Sequence, residues 1–160
     1  MLKVNRKSEY ALMTVQHLAR LPAGTVLAAQ QLAEELGVPE DLLAKVLQGL
    51  KRAEVLQASK GAGGGYRLVR SLGELRFIDV IGPFEDHMAM VSCCETPARA
   101  AGSAMCERAE SCGVRQPISA LNQLLHSQMA QLTMDQFLKG GGGAGLRSAA
   151  ELAAEASMVG

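Results

Sequence analysis

The sequence predicts a mainly α protein with a small β wing, arranged as a winged helix-turn-helix followed by a long C-terminal dimerisation helix. Three observations predict it. Apolar residues recur at helical spacing through three N-terminal segments, a glycine-rich loop separates two short strand-like runs, and a leucine-rich stripe lies near the C-terminus. The chain has no Trp, three Phe and two Tyr beside abundant Leu, Ala and Met, a mixture suited to helices. Its 160 residues fit one domain with an appendage, or two small units sharing a core, and are too few for a large enzyme fold.

The first helix is expected from Ser8, with Tyr10, Ala11, Val15, Leu18 and Ala19 on its apolar side and Leu21-Pro22-Ala23-Gly24 as breakers. Thr25-Val26-Leu27 reads as a short strand. A second helix runs from Ala29 to Leu36, and Gly37 ends it, because glycine accepts the left-handed conformation common after a helix C-terminus. Pro39 cannot continue that helix but can start the next, expected from Glu40 to Ala53. There Leu42, Leu43, Val46, Leu47 and Leu50 face inward while Asp41, Lys45, Gln48, Lys51 and Arg52 fall on other faces. Two short helices joined by a glycine-containing turn are the pattern of a helix-turn-helix.

Val55–Ser59 and Tyr66–Arg70 read as two strands of a hairpin closed by Lys60-Gly61-Ala62-Gly63-Gly64-Gly65. Glycines let backbone amides approach a phosphate closely, and Lys60 and Arg67 add charge. A nucleotide-binding phosphate loop is excluded, since the GxxxxGK[ST] order and the strand-to-helix context are both missing. Leu75–Phe84 is an apolar stretch read as strand then helix, ending at Gly82-Pro83. From Pro117, Ile118, Leu121, Leu125, Met129 and Leu132 form one seam, widened by Leu124, that packs on its own domain or pairs with a second copy. The division expected is residues 1–75 as the DNA-binding winged helix, 76–138 as cysteine-containing sensor loop and dimerisation helix, and 139–160 as a Gly-rich linker and flexible tail.

Net charge is zero but segregated. Residues 1–70 carry ten Lys and Arg against six Asp and Glu, and residues 71–160 carry six against ten. A basic front half suits binding to nucleic acid, joined to a second unit with another task. The N-terminal residues lack the apolar stretch of a signal peptide, and no apolar run approaches the roughly 20 residues that span a bilayer. A cytoplasmic protein with no membrane partner is expected, its cysteines initially reduced.

Cys93, Cys94, Cys106 and Cys112 fall within twenty residues, which implies a metal or redox site. Eleven residues separate Cys94 from Cys106 and five separate Cys106 from Cys112, so the two-residue gap of zinc ribbons is absent. Soft thiolates suit iron, and ligands on a loop can wrap an iron-sulfur cluster without that spacing. Adjacent residues of an extended chain point apart, so one of Cys93 and Cys94 is expected to ligate well, with Cys94 preferred.

The Ser8-Glu9-Tyr10-Ala11-Leu12 order, the helix-turn-helix, the wing KGAGGGYRL, the IDVI segment, the cysteines and the final leucine-rich helix together resemble the IscR/NsrR/CymR family of bacterial regulators. The likeness runs from Met1 to about Leu138. It implies a homodimeric transcription factor on double-stranded operator DNA, with an iron-sulfur cluster, 2Fe-2S or 4Fe-4S, in the cysteine loop. The recognition helix would offer Asp41, Leu42, Lys45 and Gln48 to the major groove, and the wing would lay Lys60, Gly61, Ala62 and Gly63 along the adjacent backbone or minor groove. Base-edge contacts specify and phosphate contacts bind, which makes Lys45 and Gln48 candidates for specificity and Lys51, Arg52 and Lys60 for affinity.

The resemblance also frames the ligand set. Cys94, Cys106 and Cys112 leave a fourth ligand open. IscR-like relatives place a histidine three residues after the last cysteine, where this chain has Arg115, which cannot ligate. NsrR-like relatives use a carboxylate from the start of the partner subunit's first helix, and the matching position here is Glu9. Cys93 and His87 are the other contenders. The expected function is a regulator whose cluster senses redox state, nitric oxide or the supply of iron or clusters. The alternatives are a cluster-free regulator controlled by thiol oxidation or by a protein partner, and an iron-sulfur carrier using the winged helix as scaffold. No small-molecule substrate is inferred, and an enzyme is excluded because no nucleophile, base and orienting group cluster outside the cysteines.

Overall fold

The computed structural model describes residues 4–61, 63–85 and 111–140. Helix α1 spans Arg6–Ala19, α2 Ala29–Leu36 and α3 Glu40–Arg52; strands β1 and β2 span Leu56–Ser59 and Gly65–Leu68; α4 spans Phe77–Ile81, α5 Arg115–Gln131 and α6 Met134–Leu138. Helix α1 begins two residues before the expected Ser8. Asn5 is the reason: its side-chain oxygen accepts the Ser8 N–H at 3.0 Å, satisfying one of the donors that a helix N-terminus leaves open.

Gly37 adopts the left-handed conformation (φ 65°), and the Val38 N–H returns to the Ala33 carbonyl at 3.0 Å, so α2 stops and the chain turns into α3. Leu43, Val46, Leu47 and Leu50 of α3 are fully buried against α1 and α2. At roughly 1.5–3 kcal/mol for each such side chain, burial fixes which face α3 turns inward. Gly49 on the same helix costs roughly 1 kcal/mol relative to Ala, and packing explains it. The position a Cβ would take there lies 2.6 Å from Cζ of Phe84, so the ring occupies the space of the missing side chain.

Strands β1 and β2 pair antiparallel with Leu56 opposite Leu68 and Ser59 opposite Gly65. The stretch read as a strand at Thr25–Leu27 contributes one bridge, from Leu27 to Tyr66. Gly65 is required at that crossing, because a side chain there would overlap the Leu27 carbonyl.

Past the wing, the Leu75 carbonyl accepts the Met134 N–H at 2.8 Å and the Leu132 carbonyl accepts the Phe77 N–H at 2.8 Å, which fastens the C-terminal elements beside α4. The rings of Phe77 and Phe137 meet at 4.8 Å. Leu75, Phe77, Val80, Ile81, Phe84, Leu132 and Met134 join the same buried cluster as α1–α3. The seam expected to run as one helix through Leu132 breaks there. Leu132 is extended (ψ 117°), and Thr133 caps α6 by accepting the Gln136 N–H at 3.2 Å while Gln136 accepts the Thr133 N–H at 3.0 Å. Among the described residues, no helix is long and apolar enough to cross a membrane.

Candidate nucleic-acid interface and cysteine segment

Helix α3 has two unlike sides. Opposite its buried leucines and valine, Asp41, Lys45, Gln48, Lys51 and Arg52 are all exposed, and Asp41, Lys45, Gln48 and Arg52 recur at the three- and four-residue steps of one helical face. None of these side chains makes a hydrogen bond or ion pair within the described residues. Leu42 is half-buried. Glu40 and Asp41 stand in the first turn and Lys51 and Arg52 in the last, where each charge complements the helix dipole by about 0.3–1 kcal/mol. Lys45 and Gln48 lie between those ends. Their exposure has no such local explanation.

In the wing, Lys60 and Gly61 are exposed, Gly61 has φ 104°, and the Gly64 N–H closes the turn onto the Gly61 carbonyl at 2.9 Å. Gly63 is exposed beside them; Ala62 lies outside the described residues. Arg67 is not a free cation, since its guanidinium donates to Gln57 on the opposite strand at 2.6 Å. Another pair braces the unit. His17 of α1 meets Glu35 of α2 at 2.6 Å, and hydrogen bonds from Gln31 first, then His17, hold the Glu35 carboxyl below its ordinary value of 4.5.

Of the expected cluster ligands, Glu9 and Cys112 are described, and Cys93, Cys94, Cys106 and the contender His87 lie outside the described residues. Cys112 is a free, half-buried thiol three residues ahead of α5, its carbonyl accepting the Arg115 N–H at 3.3 Å. Glu9 is exposed in the first turn of α1, and its carboxylate makes no hydrogen bond or ion pair among the described residues; its neighbour in charge is Arg6. Among the described residues, no three metal-ligating side chains come together.

Sequence reasoning missed the residues that tie the start of the cysteine segment to α1. Glu85 Oε1 accepts the Ser8 hydroxyl at 2.5 Å and the Asn5 N–H at 3.1 Å, and the Asn5 side-chain amide donates to the Phe84 carbonyl. Asn5 carried a legible signal, being a capping residue just ahead of an apolar-periodic run. The pairing with Glu85, about 80 positions along the chain, carried none.

A helix-turn-helix whose third helix and glycine-closed wing both present cations without a partner among the described residues defines a winged-helix DNA-binding regulator. The family described as Rrf2, iron-dependent transcriptional regulator, matches residues 4–140. The chain belongs to the Rrf2 family of transcriptional regulators, which are not enzymes. It is 28% identical over 145 residues to protein aau3 of Rhizobium meliloti, covering 86% of each chain. Its fold is similar to CymR, the global cysteine regulator of B. subtilis (TM-score 0.62, 18% identity, 86% of this chain and 96% of that one). It is likewise similar to T. potens IscR (TM-score 0.60, 20% identity, 94% and 96%).

Proposed function

We propose that the protein is a homodimeric transcription regulator that reads operator DNA with α3 and the wing, and whose cysteines hold an iron-sulfur cluster that sets when it binds. The observation that carries the DNA side is the exposed stripe of Asp41, Lys45, Gln48 and Arg52 on a helix whose other face is locked into the core. In the major groove, Lys45 and Gln48 have the donor and acceptor chemistry to read base edges. Lys51, Arg52 and Lys60 neutralise phosphates, and Gly61 and Gly63 carry no side chain to hold a phosphate path away from the wing.

The donor set fits a cluster. Cys112 is a half-buried thiol outside any disulfide among the described residues, and Cys94 and Cys106 supply two more thiolates, with Cys93 next to them. Glu9 is a carboxylate without a hydrogen-bond partner among the described residues, suited to complete the set from across a dimer. When bound, the cluster supplies soft iron centres that react with oxidants or nitric oxide, and an oxygen ligand exchanges more readily than a thiolate. The dimer reading is supported by α5: none of its 17 residues is buried, and Leu121 and Leu124 are 44% and 41% exposed. Two copies related by a twofold axis match the two half-sites of a palindromic operator.

The experiment is anaerobic purification with visible and Mössbauer spectra of the wild type, Cys106→Ser and Glu9→Ala. The expected result is a brown protein, colour lost in Cys106→Ser, and one iron site altered in Glu9→Ala. A colourless protein with reversible thiol oxidation would instead support the cluster-free regulator, and would leave the DNA-reading stripe untouched.

A further inference from the structure

The chain enters its cysteine-bearing segment through Pro83-Phe84-Glu85, and the last two of these residues grip two different parts of the DNA-reading unit. Phe84 is buried, with its ring on α3 in the space that a side chain at Gly49 would fill. Glu85 accepts from the fully buried Ser8 and from the Asn5 N–H at the start of α1, while Asn5 also holds the Phe84 carbonyl. Loss of the Glu85 carboxylate would strand a buried hydroxyl, so this clasp is favoured over an open arrangement.

We propose that Phe84 and Glu85 are positioning residues that couple the cysteine segment to the recognition helix. The inference rests on the cluster-sensing reading above. Because Gly49 has no side chain, the ring bears directly on the α3 backbone, and no rotatable group lies between them to absorb a displacement. Protein interiors are close-packed and transmit strain, so a shift of the ring becomes a shift of the helix. Gly49 follows Gln48 by one residue and Lys45 by four, so the turn that would move is the turn that carries the proposed base readers. On the other side, the clasp reaches Ser8, next in sequence to Glu9, and Glu85 precedes Cys93 by eight residues. The joint is thus linked in sequence to the thiolates proposed for its own subunit's cluster and to the carboxylate proposed for the partner subunit's cluster.

The test measures binding of full-length protein to a duplex that the wild type selects from a random library, and to a scrambled duplex, by fluorescence anisotropy. Each protein is measured after anaerobic reconstitution with ferrous iron and sulfide, and after stripping with a chelator. The wild type is expected to show an affinity ratio between the two states of about 5- to 150-fold. Phe84→Leu, Gly49→Ala and Glu85→Ala should lower that ratio by about fivefold or more while keeping the visible absorption. Glu85→Gln, which keeps the acceptor oxygen, and the double variant Gly49→Ala/Phe84→Leu, which fits a methyl group into the vacated space, should restore it. Variants that retain colour and a cooperative melt yet keep the wild-type ratio would overturn the proposal. If the wild-type ratio is already one, the cluster-sensing reading fails, and the joint is judged on stripped protein alone. There Phe84→Leu should lower the selected-to-scrambled ratio about fivefold and the double variant should recover it; an unchanged ratio overturns the joint.

Discussion

Leu27 and Tyr66 exchange both of their backbone hydrogen bonds, the Leu27 N–H reaching the Tyr66 carbonyl at 3.1 Å and the Tyr66 N–H reaching the Leu27 carbonyl at 2.7 Å. The wing is thereby fastened to the chain that leads into α2, and this backbone pair holds its orientation together with Val55, Leu56, Tyr66 and Leu68, which pack into the shared core. Gly65 makes the crossing possible.

Gly65→Ala is predicted to break this crossing, because its methyl group would overlap the Leu27 carbonyl. A cost on the order of 2 kcal/mol follows from overpacking a site of this kind. Thermal unfolding should register the loss, and DNA affinity should fall further than stability alone requires as the wing shifts.

Helix α3 ends as α2 does, with a left-handed residue after the last turn and a hydrogen bond reaching back into the helix, Val55 N–H to Leu50 carbonyl at 3.0 Å. At α2 the left-handed residue is Gly37; at α3 it is Glu54, with φ 56°. A residue other than glycine pays roughly 1–2 kcal/mol in that conformation, and part of the gain from glycine is returned through a more flexible unfolded chain. Glu54→Gly is therefore expected to stabilise the protein by up to about 1 kcal/mol, read as a higher denaturant midpoint with unchanged slope.

This contrast explains what the sequence made legible. Gly37 and Pro39 punctuate the chain by residue type, so α2 and the start of α3 were readable to the residue. Glu54 does the same structural work without an unusual side chain, and only the tertiary pull on Leu50 and Val55 holds it there. The break at Leu132 was also hidden, because Leu132 continues the apolar period of α5 while its backbone turns to meet Phe77. The capping pattern Thr133-x-x-Gln136 was the available sign of it. Of the proposed site, the outward stripe of α3 followed from periodicity, whereas the contacts of Phe84 and Glu85 join positions far apart in sequence and leave no local pattern.

Lys45→Ala and Lys60→Ala are predicted to fail differently. Lys45 sits mid-helix, away from the dipole-complementing ends, so its loss should spare stability, cost about 1–3 kcal/mol on the selected duplex and relax base preference. Lys60→Ala should weaken selected and scrambled duplexes alike and reduce the salt slope of binding by about one. Anisotropy titrations across salt concentrations separate the two. Equal effects of both variants on both duplexes would remove Lys45 from the base-reading role.

The exposed apolar residues of α5 set a prediction for assembly. Leu121→Glu with Leu124→Glu should convert a dimer to a monomer in sedimentation experiments, with little change in the melting of the winged helix, because neither side chain joins its core. Binding to a palindromic duplex should fall more than binding to a half-site.

The most direct test compares operator affinity of the wild type and Cys112→Ser, each anaerobically reconstituted and each stripped of iron. The account predicts that wild-type affinity differs between the two states by about 5- to 150-fold, and that Cys112→Ser binds the operator with a single affinity in both. A wild type that binds equally with and without iron and sulfide, while still discriminating the selected duplex, would contradict cluster control and leave a DNA-binding regulator governed by some other signal.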